Sequence, residues 1–184
     1  MSASAADPAR PTLIVVSGPP GSGKTQLAHA VARAIGCPAI CRDEIKEGMV
    51  HAHRQGSDVG IGDVLTQRTF MLFFEVLRTL LAAGVTVVAE AAFQDANWRK
   101  GLEPLLPLAD LRIVHCSVDP TLARERIVKR VRERSRSAHA DLEWLEELER
   151  RGGFQRLSLA APSIVVDTTD GYVPSIDEIK RFAG

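Results

Sequence analysis

The sequence predicts an α/β protein: a three-layer sandwich in which a parallel sheet of about five strands carries helices on both faces. Three observations lead there. Strand-like and helix-like segments alternate from end to end with no internal repeat, the pattern of parallel strands joined by helical crossovers. Thr12 to Ser17 reads Thr-Leu-Ile-Val-Val-Ser, an unbroken apolar run suited to a strand buried on both faces. A chain of 184 residues, 45% hydrophobic, supplies one core of its own.

The elements follow in order. After the first strand comes a glycine-rich turn. A helix is expected over Thr25 to Ile35, where Leu27, Val31 and Ile35 recur at helical spacing and Gly36 closes the run. Ala39 to Cys41 reads as a short strand, Asp43 to about Ala52 as a short helix, and the glycine-bearing stretch Gln55 to Gly62 as a mobile loop. Asp63 is expected to cap a long helix ending at Gly84, with Phe70, Phe73, Phe74 and Leu77 in the core. Val85 to Ala89 reads as the third strand, and Trp98 to Leu106 as a helix interrupted by Gly101 and Pro104. Leu111 to Val118 reads as the fourth strand, and Pro120 opens a basic helix running to Arg134. Asp141 to Arg151 reads as an acidic helix, Ser163 to Asp167 as the last strand, and Ser175 to Phe182 as a closing helix. Residues 1–11 are expected to be a disordered lead-in and 12–184 a single domain.

Composition narrows the function. Lys and Arg total 23, as do Asp and Glu, so the chain lacks the excess positive charge of a protein that coats nucleic acid. Three cysteines do not make a disulfide framework. Cys37 and Cys41 lie four apart without a second pair, which argues against a zinc site, and all three cysteines read as small buried residues. No stretch approaches a membrane span, and Met1 to Pro11 has no apolar core, so a cytoplasmic location is expected.

The chemistry begins at Gly18-Pro19-Pro20-Gly21-Ser22-Gly23-Lys24-Thr25, which matches G-x-x-x-x-G-K-[ST] between a buried strand and a helix. Glycines let backbone N–H groups turn inward around an anion, and the helix N-terminus adds its positive dipole end. In this role Lys24 reaches the outer phosphates of ATP and the Thr25 hydroxyl ligates Mg²⁺. A GTPase needs a guanine-reading Asn-Lys pair, and none exists here. Hydrolytic machines usually end the relevant strand with two acids, whereas Glu90 is followed by Ala91. A compact kinase remains.

Beyond the second strand lies Cys41-Arg42-Asp43-Glu44-Ile45-Lys46. Ligands of open α/β sheets sit beyond the carboxyl ends of strands, so Asp43 is expected in the crevice facing the phosphate loop. There it can take the proton of an attacking hydroxyl, or it can merely cap a helix. Arg42 and Lys46 are placed to hold an anionic group or to pair with Asp43. Glu90, after four apolar residues, can orient metal-bound water, hold an acceptor hydroxyl, or stand as a solvated strand-end carboxylate.

Together these residues resemble the 5′-hydroxyl polynucleotide kinase domain and its zeta-toxin, chloramphenicol phosphotransferase and gluconate kinase-like relatives within the AAA-type ATP-binding proteins. The resemblance spans roughly residues 12–170 and implies a strand order of 2-3-1-4-5 with a helical lid at about 124–151. It implies that Asp43 is the general base, while Lys46 stands where the pattern carries arginine and Glu90 where it carries aspartate. Lysine cannot form arginine's planar fork, so the acceptor can differ from a polynucleotide end. The basic segment holds Arg126, Arg130 and Arg134 on one helix stripe, a solvated face or a lid. The resemblance places Arg130 as the lid arginine that neutralises transferred charge, with Arg126 a second candidate. His51 and His53, two apart, do not face each other and suggest no metal pair. The expected function is ATP-dependent phosphorylation of a hydroxyl on a small molecule or, alternatively, a nucleic-acid end. A nucleotide-binding regulatory ATPase without its own acceptor is the rival, and a toxin-like kinase acting on a nucleotide sugar a third possibility.

Overall fold

The computed structural model describes residues 10–53, 61–133, 147, 150 and 152–184, of which 53, 61–63 and 130–133 are described by backbone alone. Of the stretch 55–62 expected as a loop, 61–62 are helical and 55–60 lie outside the described residues, as does most of the expected acidic helix at 141–151. Five strands form one sheet in the order β2-β3-β1-β4-β5. They are β1 (Thr12–Ser17), β2 (Ala39–Cys41), β3 (Val87–Ala91), β4 (Asp110–Ser117) and β5 (Ser163–Asp167), and every pairing is parallel. The expected fold class and strand order are therefore the observed ones.

The helices are α1 (Lys24–Ile35), α2 (Arg42–His53), α3 (Ile61–Ala82), α4 (Asp95–Leu102), α5 (Pro120–Glu133) and α6 (Ile176–Ala183). Alternation along β1 divides the core in two. Leu13 and Val15 pack with Phe73, Phe74, Leu77, Trp98 and Leu102 from α3 and α4. Ile14 and Val16 face the other way, against Leu27, Ala28 and Val31 of α1 and Ile179 of α6. Central β1 is thus buried on both faces, which is why its sequence is continuously apolar rather than alternating. Among the described residues no helix is long and apolar enough to cross a membrane.

Three elements depart from the sequence reading by two residues or more. Strand β3 runs over Val87–Ala91, two residues later than expected, so Glu90 lies inside it. The closing turn of α3 uses the residues before it: Gly84 N donates to Leu81 O at 2.9 Å and Val85 N to Leu80 O at 2.9 Å. Helix α3 begins at Ile61, placing Asp63 inside its first turn rather than at its cap. Helix α4 starts at Asp95 and tightens into a 3-10 turn over Glu103–Leu105, where Pro104 has no N–H to continue the helix.

Candidate active site

The glycine-rich loop leaves β1 at the carboxyl edge of the sheet and enters α1. Gly21 and Gly23 both have φ of +76°, left-handed backbone that turns successive N–H groups to one side. At Gly21 space is a second constraint, because a Cβ would stand 2.5 Å from the Ala123 carbonyl oxygen of α5. Helix α1 has no side-chain cap. Among the described residues no backbone acceptor meets the N–H groups of Gly21, Gly23, Lys24 or Thr25. Unpaired N–H groups at a helix N-terminus form an anion site. Lys24 is buried and folds back so that its Nζ donates to the Pro19 carbonyl at 3.1 Å. The Ser22 hydroxyl is enclosed without a hydrogen-bond partner.

Thr25 points down from the first turn of α1, and its hydroxyl donates to Glu90 Oε2 at 3.1 Å. Glu90 is only 2% exposed, wedged in β3 between Val16 of β1 and Cys41 of β2. The solvated strand-end alternative is thereby excluded. Burial raises its pKa, a trend opposed by Lys24 and by the Thr25 hydrogen bond and reinforced by Asp43 and Glu44. A hydroxyl and a carboxylate side by side beneath a phosphate loop are hard oxygen donors, a set that suits Mg²⁺.

Asp43 sits in the first turn of α2, immediately beyond β2, and its side chain is 65% exposed. Its charge is one of the influences that raise the Glu90 pKa. Arg42 Nη1 donates to Asp43 Oδ1 at 2.7 Å, and the same guanidinium lies 6.0 Å from the centre of the Phe93 ring. The two residues therefore form one unit, positioned by an aromatic platform. Lys46 places its Nζ 3.4 Å from Thr66 Oγ1 of α3.

On the opposite side, Arg126 of α5 donates from Nη2 to the carbonyls of Thr168 at 2.9 Å and Thr169 at 3.2 Å. It also stands beside Gly23. Arg130 is on the same helix one turn later, and its side chain lies outside the described residues.

Two supports escape the sequence reading. Thr168 is buried, and its hydroxyl donates to Ser22 O at 2.6 Å, tying the turn after β5 to the phosphate loop. The signal was a polar Asp-Thr-Thr run ending an apolar strand, which fits any strand-end turn. Trp98 donates from Nε1 to Ser17 Oγ at 3.0 Å, fixing the residue that precedes the loop.

The chain is similar to solved P-loop proteins over almost its whole length. A Chloroflexus aurantiacus protein provisionally described as a kinase is 28% identical with a TM-score of 0.76, covering 94% of this chain and 93% of that one. A gluconokinase from Sinorhizobium meliloti is 20% identical with a TM-score of 0.55, covering 95% and 89%. The Pnkp1/Rnl/Hen1 RNA repair complex shares the fold at 17% identity and a TM-score of 0.59, covering 86% of this chain and 53% of that one. Comparison with curated proteins gives no match. A family model described as AAA domain matches residues 13–153, and the chain belongs to that AAA domain family.

Proposed function

We propose that the protein is an ATP-dependent kinase that transfers the γ-phosphate to a hydroxyl group of a small molecule. The observation that carries this reading is the turn whose Gly21, Gly23, Lys24 and Thr25 N–H groups meet no backbone acceptor among the described residues, together with the Arg42–Asp43 pair that opens the helix after β2. The loop amides and Lys24 hold the phosphates. Lys24 gives up the Pro19 carbonyl and turns its charge toward the outer phosphate. Thr25 and Glu90 are the residues that would hold Mg²⁺, which supplies charge neutralisation and Lewis acidity at the phosphates. Glu90 thus serves the metal side of the site rather than the acceptor.

Asp43 accepts the proton of the acceptor hydroxyl as its oxygen bonds to the γ-phosphorus and the bond to the bridging oxygen breaks. Arg42 keeps that carboxylate oriented. Arg126 fixes α5 against the turn after β5, and Arg130 is the lid residue assigned to the transition-state charge. Lys46 with Thr66 lines the acceptor side. A small acceptor is favoured over a nucleic-acid end by the balanced net charge and by lysine in place of a forked arginine.

The test is ADP formation from γ-labelled ATP with sugars, antibiotics, nucleosides and oligonucleotides as added hydroxyl compounds. Slow turnover alone, with strong stimulation and label transfer for one class, is the expected result. A rate indifferent to every acceptor would instead identify a regulatory ATPase. Stimulation confined to oligonucleotides and lost steeply with salt would move the acceptor to a nucleic-acid end.

A further inference from the structure

One turn along α1 from Thr25, on the same face of the helix, stands His29. Its Nε2 is 2.7 Å from Glu44 Oε1 of α2 and 3.7 Å from Cys41 Sγ at the end of β2. The three donor atoms all lie within 4.8 Å of one another. Three consecutive elements thus converge on one point with a thiol, an imidazole and a carboxylate. Cys37, four residues before Cys41, is not part of the cluster, so the partners that cysteine spacing could not supply come from the flanking helices.

We propose that His29, Cys41 and Glu44 form a binding site for a zinc-class divalent transition metal, separate from the Mg²⁺ position at Thr25. Ligand chemistry separates the two positions. Hydroxyl and carboxylate oxygens suit a hard cation, whereas thiolate and imidazole suit zinc and its neighbours. Zinc bonds of about 2.0–2.3 Å in tetrahedral geometry set donor atoms roughly 3.3–3.8 Å apart. The sulfur–nitrogen separation of 3.7 Å already meets that spacing. The imidazole–carboxylate pair at 2.7 Å must open by roughly 0.6 Å to meet it, a movement free to a Glu44 side chain that is 51% exposed.

Access is asymmetric in the way an open site needs. Cys41 is 2% exposed and closes the floor, while His29 and Glu44 reach solvent and leave the fourth position to water. Binding replaces the thiol proton by the metal and releases that proton to solvent. An exposed imidazole–carboxylate pair alone is worth little to stability, so the geometry of the third donor is what distinguishes the cluster from a surface ion pair.

The experiment is Co²⁺ titration of the full chain in excess Mg²⁺, read by the thiolate-to-cobalt charge-transfer absorption. This signal is independent of phosphotransfer, so it stands or falls apart from the kinase reading. The expected result is one equivalent of Co²⁺ bound with a thiolate band that Zn²⁺ displaces. The band is lost in Cys41→Ser and kept in Cys37→Ser and Cys116→Ser. His29→Gln and Glu44→Gln change exposed side chains and are expected to weaken binding at least tenfold, so they decide the matter if Cys41→Ser does not fold. Absence of the band, its persistence in Cys41→Ser, or unchanged affinity in both exposed variants would overturn the site.

Discussion

At Glu90 a carboxylate is kept almost entirely from water, with the Thr25 hydroxyl donating to it and the Lys24 ammonium as an opposing charge. Such a group costs folding free energy when ionised. Because its pKa is raised above 4.5, the folded chain binds more protons than the unfolded chain as pH climbs from there. Stability of the nucleotide-free protein is therefore lost with rising pH across that window. Glu90→Gln keeps a partner for Thr25 and removes the charge. It is expected to flatten this pH dependence and raise the neutral-pH melting temperature, while Mg²⁺-dependent gain in nucleotide affinity falls at least about tenfold, or ~1.4 kcal/mol. Thermal melts across pH with nucleotide titrations check both arms. At this scale the sequence proposes site residues where a motif constrains spacing, as at Lys24, Thr25 and Asp43. It leaves Glu90 open between a metal, an acceptor and a solvated role, because whether a carboxylate after apolar residues is solvated depends on the strands beside it. It is blind to Thr168, whose partner Ser22 lies 146 residues away.

At the scale of elements, α4 shows why local signals mislead. Gly101 reads as a weak point in a helix, yet it is buried there because a Cβ would stand 2.1 Å from the Phe74 ring. That ring belongs to the aromatic cluster of Phe70, Phe73, Phe93 and Trp98, which seats both α4 and the platform under Arg42. Gly101→Ala is expected to destabilise the fold by about 1–3 kcal/mol through overpacking. Denaturant unfolding measures the loss, and an unchanged midpoint would show that Phe74 can move aside. The same tertiary effects account for the shifted boundaries. Strand β1 is legible because a strand buried on both faces needs continuous apolar residues, and the partly buried edge strands β2 and β5 are legible as short apolar runs. The start of β3 is not, because Val85 and Thr86 are as β-prone as the strand itself yet serve the turn after α3 and the contact of Thr86 Oγ1 with Thr12 N at 3.0 Å.

Across the whole molecule, one sheet order explains why distant segments meet. With β1 central and β3 and β4 beside it, the loops after β1, β2 and β3 gather at one edge, and the turn after β5 closes against the phosphate loop. Alternation along the chain makes the layered architecture legible, and the phosphate-loop motif marks which edge carries chemistry. The acceptor is not legible by either route, because its contacts come from loops that no spacing rule constrains. The central claim is that Asp43, held by Arg42 across from residues 18–25, strips the proton from the attacking hydroxyl. The most direct measurement is phosphotransfer by Asp43→Asn beside its nucleotide affinity. The account predicts transfer slower by about 10²–10⁴-fold with nucleotide binding retained. Full transfer by the variant, with nucleotide bound as in the parent, would contradict it.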